Sequence, residues 1–203
     1  MAQHQIGFLF LAAGASTRMR GSDKLLKDID GVPLIHRILI EALKLNFPVF
    51  VTIPANDTKR KPIISKTNAV IIEVQDSDLG MGNSIAKGLT EIMKNTNIFS
   101  LAICPSDLPG LNMSSLKNLI SYFFKSPEMI CHPAKLGKSK LGHPVIFPHK
   151  YFDELKLLKG DFGARSIIHK NKKALNRYET EDESYFIDLD TPEDFYNWIK
   201  HTS

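Results

Sequence analysis

An apolar segment near the start of the chain, Ile6–Leu11, leads directly into a loop of small and basic residues. Six consecutive apolar residues are typical of a strand that is buried on both faces. Small residues follow at 12–14, and Gly14 allows a ligand to approach the backbone closely. Arg18 and Lys24 then add two cations, and cations beside exposed N–H groups suit an anionic ligand. The stretch predicts an anion-binding loop at the end of a buried strand.

Two common phosphate-binding motifs do not describe this loop. The dinucleotide fingerprint G-x-G-x-x-G needs several glycines, and only Gly14 is in place. The Walker A loop has a glycine directly before its lysine, whereas Lys24 lies ten residues after Gly14 with no glycine just before it. On these residues alone, an ordinary buried strand followed by a solvated turn is an alternative.

The length and composition of the chain are typical of one globular domain. Its 203 residues are 43% hydrophobic and 24% charged, which is enough apolar material for a sizeable core. The net charge of +4 comes from basic runs at 59–61, 135–140 and 170–177. These runs lack interleaved aromatic residues, so we interpret them as solvated faces and expect no nucleic-acid partner. An anionic small substrate accounts for the charge.

The cysteines and the apolar start favour a cytoplasmic protein. Cys104 and Cys131 lie in apolar segments without C-x-x-C spacing, so we expect buried, reduced and inert thiols. The first apolar run resembles a signal peptide, but no Lys or Arg precedes it, and we interpret it as a strand. No other apolar run approaches membrane-spanning length, so we expect no membrane partner.

Apolar segments alternate with helical patterns along the first half of the chain. We expect strands at 6–11, 49–53, 70–74 and 99–104, and further strands at 129–133, 145–147, 173–178 and 185–189, the last two at a sheet edge. The alternation predicts an α/β fold. We expect a single Rossmann-like, three-layer domain whose central sheet is mostly parallel and carries helices on both faces.

Two loops at the ends of these elements carry candidate ligand-binding residues. Glycines at 80–84 directly precede a predicted helix, as in loops that bind anions or bases. Asn83 or Ser84 as a simple N-cap of that helix is an equal alternative. Asp107 follows the strand at 99–104, at the edge where α/β sheets bind ligands. A turn aspartate that bonds its own backbone is the alternative there.

The second half contributes three further polar residues of interest. His143 stands between Gly142 and a proline at the entrance of a strand, although a lone histidine is more often structural. Asp161 and Arg165 flank a glycine-containing turn before a helix. Asp161 as the helix cap and Arg165 as a surface residue are the simpler interpretation of that turn.

Two carboxylates lie near the end of the chain, immediately before the last predicted helix. Thr191 followed by a proline is a natural N-cap for that helix. Capping does not explain Asp188 and Asp190, which share one face of the strand predicted at 185–189. They are therefore candidate site residues.

Several of these segments together resemble a known family. LAAGASTRM followed by GSDKLL resembles the signature loop of the nucleotidyltransferases that handle the molybdenum cofactor, with a consensus close to LAAG-x-S-x-RMG-x-x-K. The chain departs from that consensus by one additional residue, Arg20. Motifs at 80–84, 106–109, 142–147, 160–165 and 188–194 resemble the family in the same order. The resemblance covers essentially the whole chain and implies a nucleotide-diphospho-sugar transferase-like fold.

The resemblance also implies a reaction and its site residues. It implies Mg²⁺-dependent transfer of a nucleoside monophosphate to the phosphate of a molybdopterin-type cofactor, with release of pyrophosphate. CTP is the implied donor, because cytidine-using members carry a similar GMG-x-S segment at the base. The implied nucleotide-binding residues are Ala12, Ala13, Gly14, Arg18, Lys24, Gly82, Ser84 and Ser106. The implied acceptor-binding residues are Gly142, His143, Asp161 and Arg165, and the implied metal ligands are Asp107 and one of Asp188 and Asp190.

Arg18, Lys24 and Asp107 are implied to carry the chemistry of this transfer. A phosphate monoester acceptor is already anionic at neutral pH, since its second pKa is about 6, so no general base is required. Within one domain of 1–203, residues up to about 110 are expected to bind the nucleotide and residues 111–190 the acceptor. The resemblance adds one implied partner, a molybdoenzyme that receives the product.

Two other functions stay open from the sequence. A cytidylyltransferase or other NTP transferase that acts on a sugar- or polyol-phosphate would share the loop and the metal site. A non-catalytic nucleotide-binding protein would keep the loop without needing a complete metal site.

Overall fold

The structure is a computed structural model that describes residues 5–14, 19 and 22–202. The strands are β1 Ile6–Leu11, β2 Asp28–Ile29, β3 Val32–Pro33, β4 Val49–Pro54, β5 Val70–Val74, β6 Ser100–Pro105, β7 Ile130–Lys135, β8 Val145–Pro148 and β9 Leu175–Thr180. The helices are α1 Leu34–Leu43, α2 Lys61–Ile64, α3 Met81–Asn95, α4 Met113–Phe123, α5 Phe152–Lys156, α6 Arg165–Lys170 and α7 Pro192–Thr202.

Seven of these strands form one central sheet in the order β5-β4-β1-β6-β8-β7-β9, while β2 and β3 form a separate hairpin. β1 lies in the middle and pairs in parallel with β4 and β6, with Phe8 opposite Val49 and Ala102. Only β8 in the sheet runs antiparallel to its neighbours. The prediction of a mostly parallel sheet is therefore confirmed.

The direction of β8 decides which residues reach the ligand edge of the sheet. β8 pairs antiparallel with β6, and Ile103 lies opposite Val145. The amino end of β8 thus lies at the same edge as the carboxyl end of β6. Residues 142–144, which precede β8, and residues 106–107, which follow β6, are brought to one edge by this pairing.

Helices cover both faces of the sheet, as the buried strands predicted. Side chains on β1 alternate between two cores, because Phe8 and Phe10 pack on one face and Leu9 packs on the other. The first core includes residues of α1, α2, α4 and α7, and the second includes residues of α3, α5 and α6. The three-layer architecture expected from the sequence is therefore present.

The prediction of a strand at 185–189 is wrong. Residues 183–185 form a 3-10 turn, and the segment after it has no strand assignment. Its backbone bonds go to loops at the ligand edge instead of to a strand. The N–H of His143 donates to the Tyr185 carbonyl at 3.0 Å, and the N–H of Leu189 donates to the Asp107 carbonyl at 3.0 Å. The segment therefore crosses the ends of β6 and β8, whereas β9 is the edge strand expected from 173–178.

The two cysteines are buried, as their apolar segments predicted. Cys104 and Cys131 are free and buried. Burial raises the pKa of the Cys131 thiol to about 12 and raises that of Cys104 well above its usual value. Both side chains act as small hydrophobic groups. None of the helices described by the structure is long and apolar enough to cross a membrane.

Candidate active site

Side chains from three distant parts of the chain meet at the ligand edge of β1 and β6. The Lys24 ammonium donates to Asp107 Oδ2 at 2.6 Å and to Asp190 Oδ1 at 2.7 Å. Lys24 opens a short 3-10 turn after β1, Asp107 follows β6, and Asp190 precedes α7. The three side chains, which we call the Lys24 cluster, are 15%, 19% and 27% exposed. They are shielded from water but still open to a ligand.

The Lys24 ammonium is held in its charged form by the two carboxylates. Burial alone would lower the pKa of Lys24, but the charges and hydrogen bonds of Asp107 and Asp190 outweigh it and raise the pKa above 10.5. The ammonium in turn offsets the repulsion between two carboxylates that approach one point. A cation is therefore required between Asp107 and Asp190, and Lys24 supplies it here.

The start of α7 fixes the position of Asp190. The carboxylate of Asp194 accepts hydrogen bonds from the N–H groups of Asp190 at 3.1 Å and Thr191 at 2.8 Å. The N–H of Asp194 donates to Thr191 Oγ1 at 3.2 Å, so Thr191 caps the helix as predicted. The hydrogen bond from the Thr191 side chain is the main cause that lowers the pKa of Asp194. This reciprocal cap holds the backbone beside the Lys24 cluster.

The two aspartates near α7 have different environments. The sequence predicted that Asp188 and Asp190 share a strand face, and this is wrong because the segment forms no strand. Asp190 reaches Lys24, whereas Asp188 is exposed. Asp107 accepts a hydrogen bond from the same ammonium, although the two residues are 83 positions apart in the chain. Its carboxylate therefore has a partner outside its own turn. Asp107 and Asp190 are the convergent pair.

Ser106 adds a hydroxyl beside Asp107. Ser106 is 2% exposed. Among the residues that the structure describes, its Oγ has no hydrogen-bond partner. A buried hydroxyl without a partner is uncommon and costly, so this atom is a candidate for contact with a ligand or an ordered water.

The loop after β1 has its small residues at the expected place. Ala12 and Ala13 are buried, and the N–H of Ala12 donates to the Thr52 carbonyl at 2.9 Å. Gly14 is exposed, and a Cβ built on it meets none of the described residues within 4 Å. The space beside Gly14 thus permits close approach, although its backbone does not use the left-handed region. Arg18 and Arg20 lie outside the described residues.

Arg60 is a site residue that sequence reasoning missed. The basic run at 59–61 was interpreted as solvated, but Arg60 is only 5% exposed. Its Nε donates to Asp23 Oδ2 at 2.6 Å, its Nη2 donates to the Gly14 carbonyl at 2.9 Å, and its Nη1 donates to the Ala12 carbonyl. No local pattern distinguishes this arginine from the lysines on either side of it.

The glycines before α3 are required by packing. α3 begins at Met81 with Gly80 as its N-cap residue, so neither Asn83 nor Ser84 is the cap. The N–H of Gly82 donates to the Gly160 carbonyl at 2.7 Å, and a Cβ on Gly82 would lie 2.8 Å from the Lys159 carbonyl. Asn83 accepts from the N–H of Gly160 at 3.1 Å. The start of α3 is therefore locked against the loop at 159–161.

Ser84 and Asp161 lie at this junction and differ in exposure. Ser84 is 4% exposed on α3, whereas Asp161 is exposed beside Gly80. The N-cap position of α6 is Ala164, which has no polar side chain, so the simple interpretation of Asp161 as the cap is wrong. Arg165 is the first residue of α6 and is exposed. Both charged side chains are accessible to a ligand.

His143 is influenced electrostatically by Asp107 of the Lys24 cluster and by Arg165. Gly142 before it is packed so closely that a Cβ would lie 2.6 Å from the Tyr185 carbonyl. Surrounding protein lowers the pKa of His143 even though part of the residue is exposed; the charge of Asp107 opposes this shift and that of Arg165 adds to it. His143 is thus within electrostatic reach of both sides of the candidate site.

The donor set of the Lys24 cluster fits a hard divalent cation only with help from a substrate. No group of three or more His, Cys, Asp or Glu residues that could hold a metal occurs in the described part of the chain. Mg²⁺ usually binds one or two carboxylates together with phosphate oxygens and water. Asp107 and Asp190 supply the two carboxylates, and a triphosphate would supply the remaining oxygens.

Comparison with known proteins agrees with this architecture. The chain is 26% identical to the purine catabolism protein PucB of Bacillus subtilis over 197 residues, which cover 92% of each protein. It is similar to the structure of Rv0371c from Mycobacterium tuberculosis in complex with manganese, with a TM-score of 0.78, 20% identity and coverage of 97% of this chain and 98% of that chain. It is also similar to the molybdopterin-guanine dinucleotide biosynthesis protein A of Archaeoglobus fulgidus, with a TM-score of 0.69, 16% identity and coverage of 97% and 98%.

The family comparison covers most of the chain. Residues 8–175 match the family described as the MobA-like NTP transferase domain. That segment contains most of β1, the loop that follows it, Lys24, Asp107 and the predicted acceptor side up to α6. Because the match spans well over half of the chain, the protein belongs to the MobA-like NTP transferase family and is a nucleotidyltransferase.

Proposed function

We propose that this protein transfers CMP from CTP to the phosphate of a molybdopterin-type acceptor and releases pyrophosphate. The observation that carries the proposal is the convergence of Lys24, Asp107 and Asp190 at one point, at 2.6 and 2.7 Å. These residues lie at the edge of a parallel sheet where α/β proteins bind ligands. Two carboxylates and an ammonium group are the parts needed to hold a metal-bound triphosphate.

The Lys24 ammonium has two roles in this proposal. In the protein without ligand it neutralises Asp107 and Asp190. Asp107 and Asp190 would hold a divalent cation that arrives with the triphosphate, and the Lys24 ammonium would then be available to the phosphates. A bound Mg²⁺ supplies charge neutralisation at the phosphates during displacement. Lys24, together with Arg18 from the same loop, stabilises the charge that develops on the pyrophosphate leaving group.

The base and ribose are assigned to the loop after β1, to the start of α3 and to Ser106. Gly82 and Ser84 at the start of α3 are proposed to contact the base, and Ala12, Ala13, Gly14 and Ser106 are proposed to surround the ribose and α-phosphate. The preference for CTP rests on the resemblance of residues 80–84 to the cytidine-using segment. A site that hydrogen-bonds one base edge leaves buried groups unpaired with another base, so strong discrimination is expected.

The acceptor is assigned to residues 142–143 and 161–165, of which Asp161 lies beside Gly80 at the start of α3. His143, Asp161 and Arg165 are proposed to hold the polar edge and phosphate of the acceptor, while Gly142 allows the backbone before His143 to pack closely against Tyr185. The similarity to a molybdopterin-guanine dinucleotide biosynthesis protein supports a pterin acceptor as a class. A pterin phosphate is anionic at neutral pH, so it attacks without a general base.

Pyrophosphate release tests the proposal directly. The purified protein is incubated with Mg²⁺, one of CTP, GTP, ATP or UTP, and either molybdenum cofactor or a sugar- or polyol-phosphate. We expect turnover with CTP and molybdenum cofactor, and loss of turnover when Mg²⁺ is removed. The same mixture with the Asp107→Asn variant is the control for a contaminating enzyme.

The remaining outcomes separate the alternatives. Turnover only with a sugar- or polyol-phosphate would contradict the acceptor, and tighter binding of GTP than of CTP in calorimetry would contradict the base. Triphosphate binding without turnover with any acceptor class would favour a non-catalytic nucleotide-binding protein.

A further inference from the structure

The buried arginine in the loop between β4 and α2 lies against the loop that follows β1. Arg60 is 5% exposed, and each of its three guanidinium nitrogens donates a hydrogen bond. Two of the acceptors are backbone carbonyls, those of Ala12 and Gly14, and the third is the Asp23 carboxylate. Arg60 therefore contacts both ends of the loop at residues 12–24, from a part of the chain at least 37 residues away.

The bond to Asp23 continues to the residues around Lys24. While Asp23 Oδ2 accepts from Arg60, its Oδ1 accepts from the N–H of Leu25 at 3.0 Å and caps the 3-10 turn at Lys24–Leu26. Lys24 stands between these two residues. A single carboxylate thus connects the buried guanidinium to the peptide units on both sides of the catalytic lysine.

The bonds to the carbonyls determine how the loop presents its other polar groups. In a planar trans peptide the C=O and the N–H point in opposite directions. Because the Ala12 carbonyl points at Arg60, the N–H of Ala13 points away from it. Three guanidinium N–H groups of Arg60 are directed toward protein oxygens, so these three are not presented to a phosphate.

Burial of this charge is compensated within the same group of residues. An isolated buried cation is costly unless it is paired and hydrogen-bonded. Arg60 has Asp23 at 2.6 Å, and Asp57 lies 3.8 Å from the same nitrogen. Asp57 Oδ1 also accepts a hydrogen bond from the backbone N–H of Arg60 at 2.7 Å, which fixes the backbone of this arginine. Two carboxylates and two carbonyl oxygens therefore surround the buried guanidinium.

We infer that Arg60 is a positioning residue that holds the backbone at Ala12 and Gly14, and through Asp23 the backbone of Lys24, in the geometry that binds the triphosphate. The inference rests on the proposed binding of a nucleoside triphosphate at Lys24. It adds a residue that touches no substrate and acts through Asp23, Ala12 and Gly14. Small displacements of a positioned group cost up to about 10²-fold in rate or affinity, so the effect of Arg60 on triphosphate affinity is expected to be large.

The test compares triphosphate affinity with stability in the same variants. Arg60→Met removes the donors, and Arg60→Lys keeps the charge but loses the planar, three-directional donor set. We expect both to weaken binding of Mg²⁺–CTP about 10- to 100-fold at 25 °C, measured by calorimetry on protein shown to be folded by circular dichroism. Asp23→Asn, which keeps an oxygen for the Leu25 N–H, is the milder variant if those at Arg60 fold poorly.

Two controls separate positioning from general stabilisation. Leu119→Ala, in the buried face of α4, lowers the melting temperature without touching the loop and should leave CTP affinity unchanged. In the Lys24→Met background, Arg60→Met should cost far less CTP affinity than it does in the wild-type chain, because the lysine that it positions is gone.

Each result decides the matter. If the wild-type protein binds no triphosphate, the proposed function fails and this inference fails with it. If the wild-type protein binds CTP, while Arg60→Met and Asp23→Asn stay folded and bind it equally well, the inference alone is overturned. Equal losses from Arg60→Met with and without Lys24 would also overturn it.

Discussion

The candidate site has two groups of polar side chains, one at the loop after β1 and one at the predicted acceptor residues, and the two groups are held in different ways. On the loop side, Lys24 and Arg60 are shielded from water and paired with carboxylates or carbonyls. On the other side, His143, Asp161 and Arg165 are exposed. Shielded and paired groups are already ordered before a ligand arrives, whereas exposed side chains lose water and rotamer freedom on binding.

This contrast suggests a division of work between the two sides. The loop side is suited to a fixed, strongly charged group such as a metal–triphosphate, where preorganised charge is most effective. The exposed side can change its ligand by exchanging a few surface residues without disturbing the core. We therefore expect large effects from substitutions on the loop side and smaller, acceptor-specific effects on the exposed side.

The largest effect is expected for Asp107→Asn. It removes one of the two convergent carboxylates and leaves only Asp190 of the two proposed metal ligands. We expect kcat/KM for Mg²⁺-dependent pyrophosphate release to fall by about 10³-fold, which corresponds to about 4 kcal/mol. The matched comparison is Asp188→Asn, which should cost much less because Asp188 is exposed and does not bond Lys24. A larger loss from Asp188→Asn than from Asp190→Asn would place the metal on the exposed side.

Lys24→Met should change metal and nucleotide binding in opposite directions. Removing the ammonium leaves Asp107 and Asp190 facing each other, so Mn²⁺ should bind more tightly in the absence of nucleotide, as followed by electron paramagnetic resonance. Turnover should fall by about 10²- to 10³-fold, because a preorganised stabilising group is lost. Lys87→Met on the surface of α3 is the control. Weaker Mn²⁺ binding in Lys24→Met would contradict the exchange of lysine for metal.

His143→Ala and Arg165→Ala test the exposed side. Each should raise the KM for the acceptor by about 10-fold, as expected for a lost hydrogen bond to a charged group, and should leave the dissociation constant of CTP nearly unchanged. The measurement is a pair of titrations on each variant, one with CTP and one with molybdenum cofactor. If both variants lose CTP affinity and keep acceptor affinity, the two sides are assigned in reverse.

The smallest effect is expected on stability, from a buried histidine in the central sheet. His132 on β7 is 1% exposed, and burial lowers its pKa below the usual 6.5. Below pH 6.5 the unfolded chain therefore binds a proton more readily than the folded one, so this histidine reduces stability as the pH falls. Urea unfolding between pH 7 and pH 5 should show a weaker pH dependence in His132→Gln than in the wild-type chain. A pH dependence in His132→Gln equal to that of the wild-type chain would contradict this prediction.

Local patterns in the sequence were sufficient for the architecture and for the placement of Lys24 and Asp107 at one edge of the sheet. The apolar run at Ile6–Leu11 predicted the central strand because burial on both faces excludes polar residues from it. The alternation of strands and helices predicted the parallel sheet, and the parallel sheet placed Lys24 and Asp107 at one edge. These features depend on periodicity and chain order, which a single sequence contains.

Other features were decided only by tertiary structure. The segment at 185–189 has the composition of a strand, but its N–H and C=O groups bond loop partners at 107 and 143. The choice of Asp190 over Asp188 follows from that crossing. Arg60 lies within a basic run and is buried only because Asp23 and two carbonyls, distant in sequence, meet its guanidinium. Contacts between residues far apart in the chain set the energy of a buried charge, and no local pattern of residues encodes them.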